Sequence, residues 1–282
     1  GQFSYFMNND TVGVGMPLRI EFSQPIKNRK AVEQNLKVTS SKPTVGAWSW
    51  ASDNQSVTFR PQTFWPANIK IKVNAALKGI QTSPGIYGER DMTAGFKTGA
   101  SMVSTVDANT LTMTVRKNGK VIRKIPVTTG KSGFETRSGI KPIMGKEGTV
   151  VMDAASGGTP VGSADYYRLT VHYSMRLTSS GEFVHAAPWS TGSQGRSSVS
   201  HGCVGMSTGN AIWLYDQSKV GDVVEVKNTG RKQDLGNGIT EWNVKWAKWL
   251  ARSKTGEQAV GPAAAKVKPP APAATTVSSV VG

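Results

Sequence analysis

Leu111-Thr112-Met113-Thr114-Val115-Arg116-Lys117-Asn118-Gly119-Lys120-Val121-Ile122 alternates apolar and polar residues and then turns back on itself. Leu111, Met113 and Val115 fall on one face and Thr112, Thr114 and Arg116 on the other, the period of two of a half-buried strand. Asn118-Gly119 supplies two residues that accept φ > 0, as a type I′ turn requires, so the stretch is predicted to be a β-hairpin. Further strands are predicted at Val150-Val151-Met152, at Phe183-Val184-His185 and at Val223-Val224-Glu225-Val226. Another runs from Arg168 to Leu177, with Leu169, Val171, Tyr173, Met175 and Leu177 on one side. Helix is scarce: one is predicted over Thr208 to Gln217, capped by Ser207, with Ile212, Leu214 and Tyr215 making apolar contacts.

Upstream of this region, short alternating runs recur between turn signals: Leu18-Arg19-Ile20-Glu21-Phe22, Val57-Thr58-Phe59-Arg60 and Ile69-Lys70-Ile71-Lys72-Val73. Pro25, Pro43, Asp53-Asn54, Pro61 and Pro66 punctuate them, and no useful helical period appears, so residues 1–99 read as a small antiparallel sandwich. Trp48 and Trp50 share one face of a strand and are assigned to its core. After Asn228 the pattern changes. Trp242, Trp246 and Trp249 stand at i, i+4 and i+7, with Leu250 beside them, which predicts one amphipathic helix that must dock on something. From Ser253 the chain turns to Ala, Pro, Val and Thr and reads as a tail. The expected divisions are 1–99, 100–227, 228–252 and 253–282.

The 282 residues carry 34 Lys and Arg against 18 Asp and Glu, a net charge of +16, and 38% are hydrophobic, which excludes wholesale disorder. The basic surplus is six, five and five over 1–99, 100–227 and 228–282, an even spread that suits work beside a polyanion or simply keeps the chain soluble. No nucleic-acid motif accompanies it, so nucleic acid is not an expected partner. No apolar run approaches the roughly 18 residues of a membrane-spanning helix.

Cys203 is the only cysteine, which rules out an internal disulfide and a multi-thiolate zinc site. It is either a buried small hydrophobe or a reactive thiol, and Ser200-His201-Gly202-Cys203 is where the second becomes specific. A free thiol is only about 3% ionised at pH 7, so it needs a base; an imidazole holding it as an ion pair at a pKa of roughly 6 would make it about 90% thiolate. Gly202 lets successive N–H groups converge on a developing oxyanion. Spacing alone does not say whether His201 or His185 is that base, while His172 has the parity of the outward face of its strand. A metal site from His185, His201 and Cys203 lacks a carboxylate at ligand spacing, and none is expected. Gly130 to Gly148 and Ser156 to Asp165, dense in Gly, Ser and Thr, are expected to be loops forming a lid over the thiol.

Phe183-Val184-His185-Ala186-Ala187-Pro188-Trp189-Ser190, then Ser200-His201-Gly202-Cys203, Asn210-Ala211 and Gly221-Asp222-Val223-Val224-Glu225-Val226, resemble the L,D-transpeptidase catalytic domain, most closely the mycobacterial and related actinobacterial enzymes. The resemblance covers roughly residues 100–250 and extends to an immunoglobulin-like domain over 1–99. It implies a mainly β chain: an immunoglobulin-like β-sandwich, a β-rich catalytic domain with one or two short helices, and a C-terminal helical extension. By resemblance Cys203 is the nucleophile and His185 its general base, with His201 beside them and the backbone at Ala186 orienting the imidazole. Tyr167 and Gly202 would serve the oxyanion, Met152 a substrate lid, and Ser180 and Gly205 substrate binding. Gly205 stands where the commonest family pattern has Arg, which leaves the substrate-carboxylate contact unassigned.

The implied reaction is cofactor-free. A peptidoglycan tetrapeptide stem acylates the cysteine with release of D-alanine, and a second stem accepts the acyl group to form a 3→3 cross-link. The implied inhibitors are carbapenem β-lactams, and the implied place is outside the cytoplasm, in the periplasm or cell wall, reached through an export or anchor segment outside these residues. An L,D-carboxypeptidase or a protein-to-peptidoglycan ligase would use the same residues, and a non-catalytic wall-binding module would leave the thiol inert. Oligomeric state is left open.

Overall fold

A computed structural model describes residues 1–3 and 8–262 and divides them into two compact units. Gly1–Thr11, Pro17–Thr98 and the chain from Lys245 make the first; Val12–Met16 and Gly99–Val244 make the second.

The first unit has a five-stranded sheet in the order Gln2–Phe3, Leu18–Glu21, Ser56–Pro61, Thr44–Trp50, Glu257–Val260, and a four-stranded sheet in the order Asn8–Val12, Met92–Thr98, Lys70–Ala75, Leu36–Ser40. Trp48 packs edge-on against Phe59 at 5.4 Å, Phe59 stacks on Trp65 at 6.0 Å, and Trp65 meets Phe96 of the other sheet at 6.0 Å. That chain of rings is the sandwich core expected for this region. One short helix, Arg29–Gln34, appears where no helical period was legible. Its buried Glu33 accepts hydrogen bonds from Trp50 Nε1, Lys254 N and Thr255 Oγ1, each at 2.8 Å. These bonds pin residues 253–256, and Glu257–Val260 then pairs antiparallel with Thr44–Trp50. The tail expected from Ser253 therefore begins no earlier than Gly261, and residues 263–282 of that expectation lie outside the described residues.

The second unit holds the hairpin, Thr112–Lys117 and Lys120–Pro126, with Asn118 at φ 50° and Gly119 at φ 82°. Its five-stranded sheet runs Lys120–Pro126, Thr112–Lys117, Met102–Asp107, Val223–Lys227, Gly139–Pro142. The second sheet runs Gly145–Asp153, Arg168–Arg176, Phe183–Ala186, Val204–Met206. Val106, Met113, Val115 and Ile125 of the first pack with Met175, Val184, Val204 and Met206 of the second, under Ala211 and Leu214 of the helix Thr208–Gln217. Ser207 caps that helix, its side chain accepting from Asn210 N, but Ile212 is partly exposed and lies outside that core.

Three expectations need correction. Gly139–Pro142 and Gly145–Asp153 are strands, so the span from Gly130 to Gly148 is not a lid loop; paired backbone overrides its loop-like composition. Tyr173 adopts φ 53°, uncommon for a bulky residue, so the alternation from Arg168 to Leu177 is interrupted and Ser174 is buried together with Met175. The tryptophan stripe is not one helix. Trp242 lies in a short turn of 3₁₀ helix, Glu241–Asn243, Val244 and Lys245 are extended, and only Trp246–Ala251 is α-helical. The three indoles still find separate partners: Trp242 Nε1 donates to Gly15 O at 2.7 Å, Trp246 Nε1 to Glu257 Oε1 at 2.7 Å, and Trp249 Nε1 to Ala47 O at 2.9 Å.

Candidate active site

Strand parity builds the site. Phe183–Ala186 runs parallel to Val204–Met206 with Val184 opposite Val204 and His185 opposite Gly205. Val184, Ala186, Val204 and Met206 point into the main core, so their alternates, Phe183, His185, Cys203 and Gly205, point the other way. They do so beside a cavity of about 440 Å³ whose wall includes Met152, Tyr167, His185, His201, Cys203 and Gly205. Gly202 has φ 124°, a left-handed conformation that suits glycine, and it turns the chain from His201 into Cys203. Two bonds hold this turn: Ser200 Oγ donates to Cys203 O at 2.7 Å, and the fully buried Thr136 Oγ1 donates to Gly202 O at 2.8 Å.

Cys203 Sγ accepts the Phe183 N–H at 3.4 Å and lies 3.8 Å from Met152 Sδ and 3.9 Å from Gly181 O. Burial pushes the thiol up to about 12, against the Phe183 hydrogen bond, with the Glu182 charge adding to the rise and the Lys141 charge opposing it. The resting sulfur is therefore a neutral thiol rather than an ion pair with a pKa near 6. His185 is buried, and its Nδ1 is 2.7 Å from Ala186 O. A carbonyl only accepts, so Nδ1 carries the proton and Nε2 is left as the acceptor. Burial lowers the His185 pKa, partly offset by that bond, and the ring is neutral and basic at pH 7. His201 lies tilted against the Tyr167 ring at 4.2 Å and meets Phe134 edge-on at 4.9 Å; burial and then Lys131 lower its pKa, partly offset by Asp165. Burial, and then Cys203, raise that of Tyr167, which keeps its hydroxyl as a donor.

Other expected positions fall differently. The Gly202 N–H is engaged by Ser200 Oγ at 3.2 Å, so it is not free for an oxyanion as expected. Ser180 does not line the cavity; its hydroxyl meets Thr178 Oγ1 and Asn237 Nδ2, each at 3.0 Å, and substrate binding through it is not supported. The Ala186 side chain faces the core, leaving only its carbonyl for the site. His172 is exposed, with Thr149 Oγ1 3.0 Å from Nδ1. Among the described residues no group of three or more His, Cys, Asp or Glu could hold a metal. Sequence reasoning missed Thr136, the buried Lys141 and Glu182, and the rim residue Trp189, which is 55% exposed and lies 5.9 Å from the His185 ring.

The arrangement provides a thiol, a basic imidazole nitrogen and a phenol donor around one cavity, the parts needed for acyl transfer through a thioester. Comparison with known proteins gives the family. The family model for the L,D-transpeptidase catalytic domain matches residues 101–226, and that for a bacterial Ig domain matches residues 2–81. L,D-transpeptidase 2 of Mycobacterium tuberculosis (strain CDC 1551 / Oshkosh) is 38% identical over 245 residues, 86% of this chain; the chain spans 60% of that relative's length. L,D-transpeptidase 1 of Mycobacterium tuberculosis (strain H37Rv) is 38% identical over 219 residues, 78% of this chain and 81% of the relative. The solved structure of an LD transpeptidase in complex with imipenem superposes with a TM-score of 0.68 at 36% identity, covering 80% of this chain and 98% of that one.

Proposed function

The chain belongs to the L,D-transpeptidase family, and from that premise we propose that it is a peptidoglycan L,D-transpeptidase in which Cys203 is the nucleophile and His185 the general base. The observation that carries the reading is the placement of Cys203, His185 and Tyr167 on the wall of one cavity, with the His185 tautomer set by Ala186 O. Because both thiol and imidazole are neutral at rest, the proton leaves sulfur as sulfur attacks. Nε2 of His185 takes it, the S–C bond forms at the carbonyl between the L-centre and the D-residue of a tetrapeptide stem, and the Tyr167 hydroxyl donates to the oxyanion. Collapse breaks the C–N bond, and the proton held on Nε2 passes to the nitrogen of departing D-alanine. The side-chain amine of a second stem then attacks the thioester; Nε2 takes the amine proton, the C–S bond breaks, and Nε2 passes that proton to the departing sulfur, restoring the thiol. Base assistance of this kind contributes roughly 10²- to 10⁴-fold.

Carbapenems, whose strained amide presents the same electrophile, are the expected covalent inhibitors. The proposed location is outside the cytoplasm at the cell wall, where a net charge of +16 suits an acidic polymer. The test is incubation with disaccharide-tetrapeptide followed by mass analysis. A 3→3 dimer with released D-alanine supports transpeptidation. A tripeptide product alone would assign a carboxypeptidase, and no product with an inert thiol would assign a wall-binding module.

A further inference from the structure

Three charged side chains clustered around Glu182, whose two chain neighbours touch Cys203 Sγ, have no part in this chemistry. Lys141 is fully buried and its Nζ donates to Glu182 Oε1 and to Arg137 O. Arg137 donates Nη1 at 3.2 Å and its backbone N–H at 3.3 Å to Glu182 Oε2, and Nε at 3.0 Å to Asp234. The Glu182 side chain is 3% exposed. Buried ion pairs pay a large desolvation cost, and apolar replacements of equal volume are often as stable, so stability alone does not account for the cluster. Its position in the chain does. Glu182 stands between Gly181, whose carbonyl lies against Cys203 Sγ, and Phe183, whose N–H donates to it. The Glu182 backbone is itself fixed, its N–H donating to Thr178 Oγ1 at 2.9 Å and its carbonyl accepting from Leu177 N at 2.8 Å.

We propose that Glu182, pinned by Lys141 and Arg137, is a positioning residue for Cys203: it holds two backbone groups against the sulfur, and its charge and that of Lys141 are balanced beside the site. The inference rests on Cys203 being the nucleophile. The other titratable or charged groups on the cavity wall are His185 and His201, both neutral imidazoles, the phenol Tyr167 and the cation Arg168, and of the charges that act on the thiol itself Glu182 and Lys141 are the opposed pair. Glu182 and Lys141 act on the thiol in opposite directions, as their charges require.

The experiment measures iodoacetamide alkylation of Cys203 in the full chain over a pH series. Glu182→Gln keeps an acceptor but leaves Lys141 without its carboxylate partner, and the rate near pH 8 should rise about tenfold, a tenfold gain in thiolate. Lys141→Met should move it the opposite way. Lys141→Met/Glu182→Gln, with neither charge, should return close to wild type and below Glu182→Gln. Glu182→Asp keeps the charge and should leave the pH profile in place while slowing acylation, because the shorter arm loosens its hold on Gly181 and Phe183. A purely structural cluster would shift Glu182→Gln and Lys141→Met in the same direction, or neither, and that result overturns the proposal. If Lys141→Met does not fold, Glu182→Gln against the double variant decides. Failure of a carbapenem to acylate wild type would remove the acyl-transfer reading but not the alkylation comparison.

Discussion

Thr136→Val isolates the hydroxyl that supports the turn into Cys203. Thr136 Oγ1 donates to Gly202 O at 2.8 Å and accepts from Gly130 N at 2.9 Å, in a fully buried position. Valine fills the same volume and makes neither bond, so it leaves a buried carbonyl and a buried N–H unpaired, about 1–3 kcal/mol each. The expected loss is about 2–6 kcal/mol for the unit containing the site. Thr136→Ser is the control: it keeps both bonds and loses one methyl, about 1 kcal/mol. Circular dichroism across a urea series gives the unfolding midpoint without relying on the reactivity of Cys203, which the cavity leaves open to reagents in the folded protein. Thr136→Val should lower the midpoint with an unchanged slope, and Thr136→Ser should lower it much less. In the folded protein Thr136→Val should also slow acylation by up to about 10²-fold, since small misplacements of reacting groups carry costs of that size. A valine variant as stable as wild type, or a serine variant as damaged as the valine, would refute this role for the hydroxyl.

His185→Gln should slow acylation by roughly 10²- to 10⁴-fold. Because burial lowers the His185 pKa from 6.5, the base form persists at pH 6.5 and is lost only as pH falls through the lowered value, so the acid limb of the acylation profile should lie below 6.5 and be absent from His185→Gln. Tyr167→Phe should cost no more than the roughly 10²- to 10³-fold of a lost oxyanion donor, read as an acylation rate. Gly205→Ala would place a Cβ 2.8 Å from Thr128 Oγ1 and 2.9 Å from Ala187 Cβ, and overpacking should destabilise by about 1–3 kcal/mol in the same urea assay.

The strands that carry the site were legible because their side chains obey a period of two: the hairpin at Asn118-Gly119, Phe183 to His185 and Val223 to Val226 appear where the alternation placed them. The helix from Thr208 was legible through its Ser207 cap. Gly139–Pro142 was not, since Lys141 and Pro142 look like loop residues until a partner strand supplies their surroundings. Lys141 and Glu182 were missed for the same reason: long charged side chains ordinarily belong to the surface, and only the tertiary fold pairs residues 41 positions apart in a buried place. The tryptophan spacing correctly marked apolar anchors, but helical spacing does not oblige the backbone to be helical, and extended residues at Val244 and Lys245 send Trp242 and Trp249 to different units. Glu257–Val260 is too short for its pattern to announce a strand; the buried Glu33 delivers it to an edge.

Acyl transfer through Cys203 is tested most directly by incubating the full chain with imipenem and mapping the adduct by mass spectrometry of proteolytic peptides. One adduct per chain, confined to the peptide containing Cys203 and absent from Cys203→Ala, is the expected result. An adduct that persists in Cys203→Ala, or that lies on any other residue of the wild type, would contradict the assignment of the nucleophile.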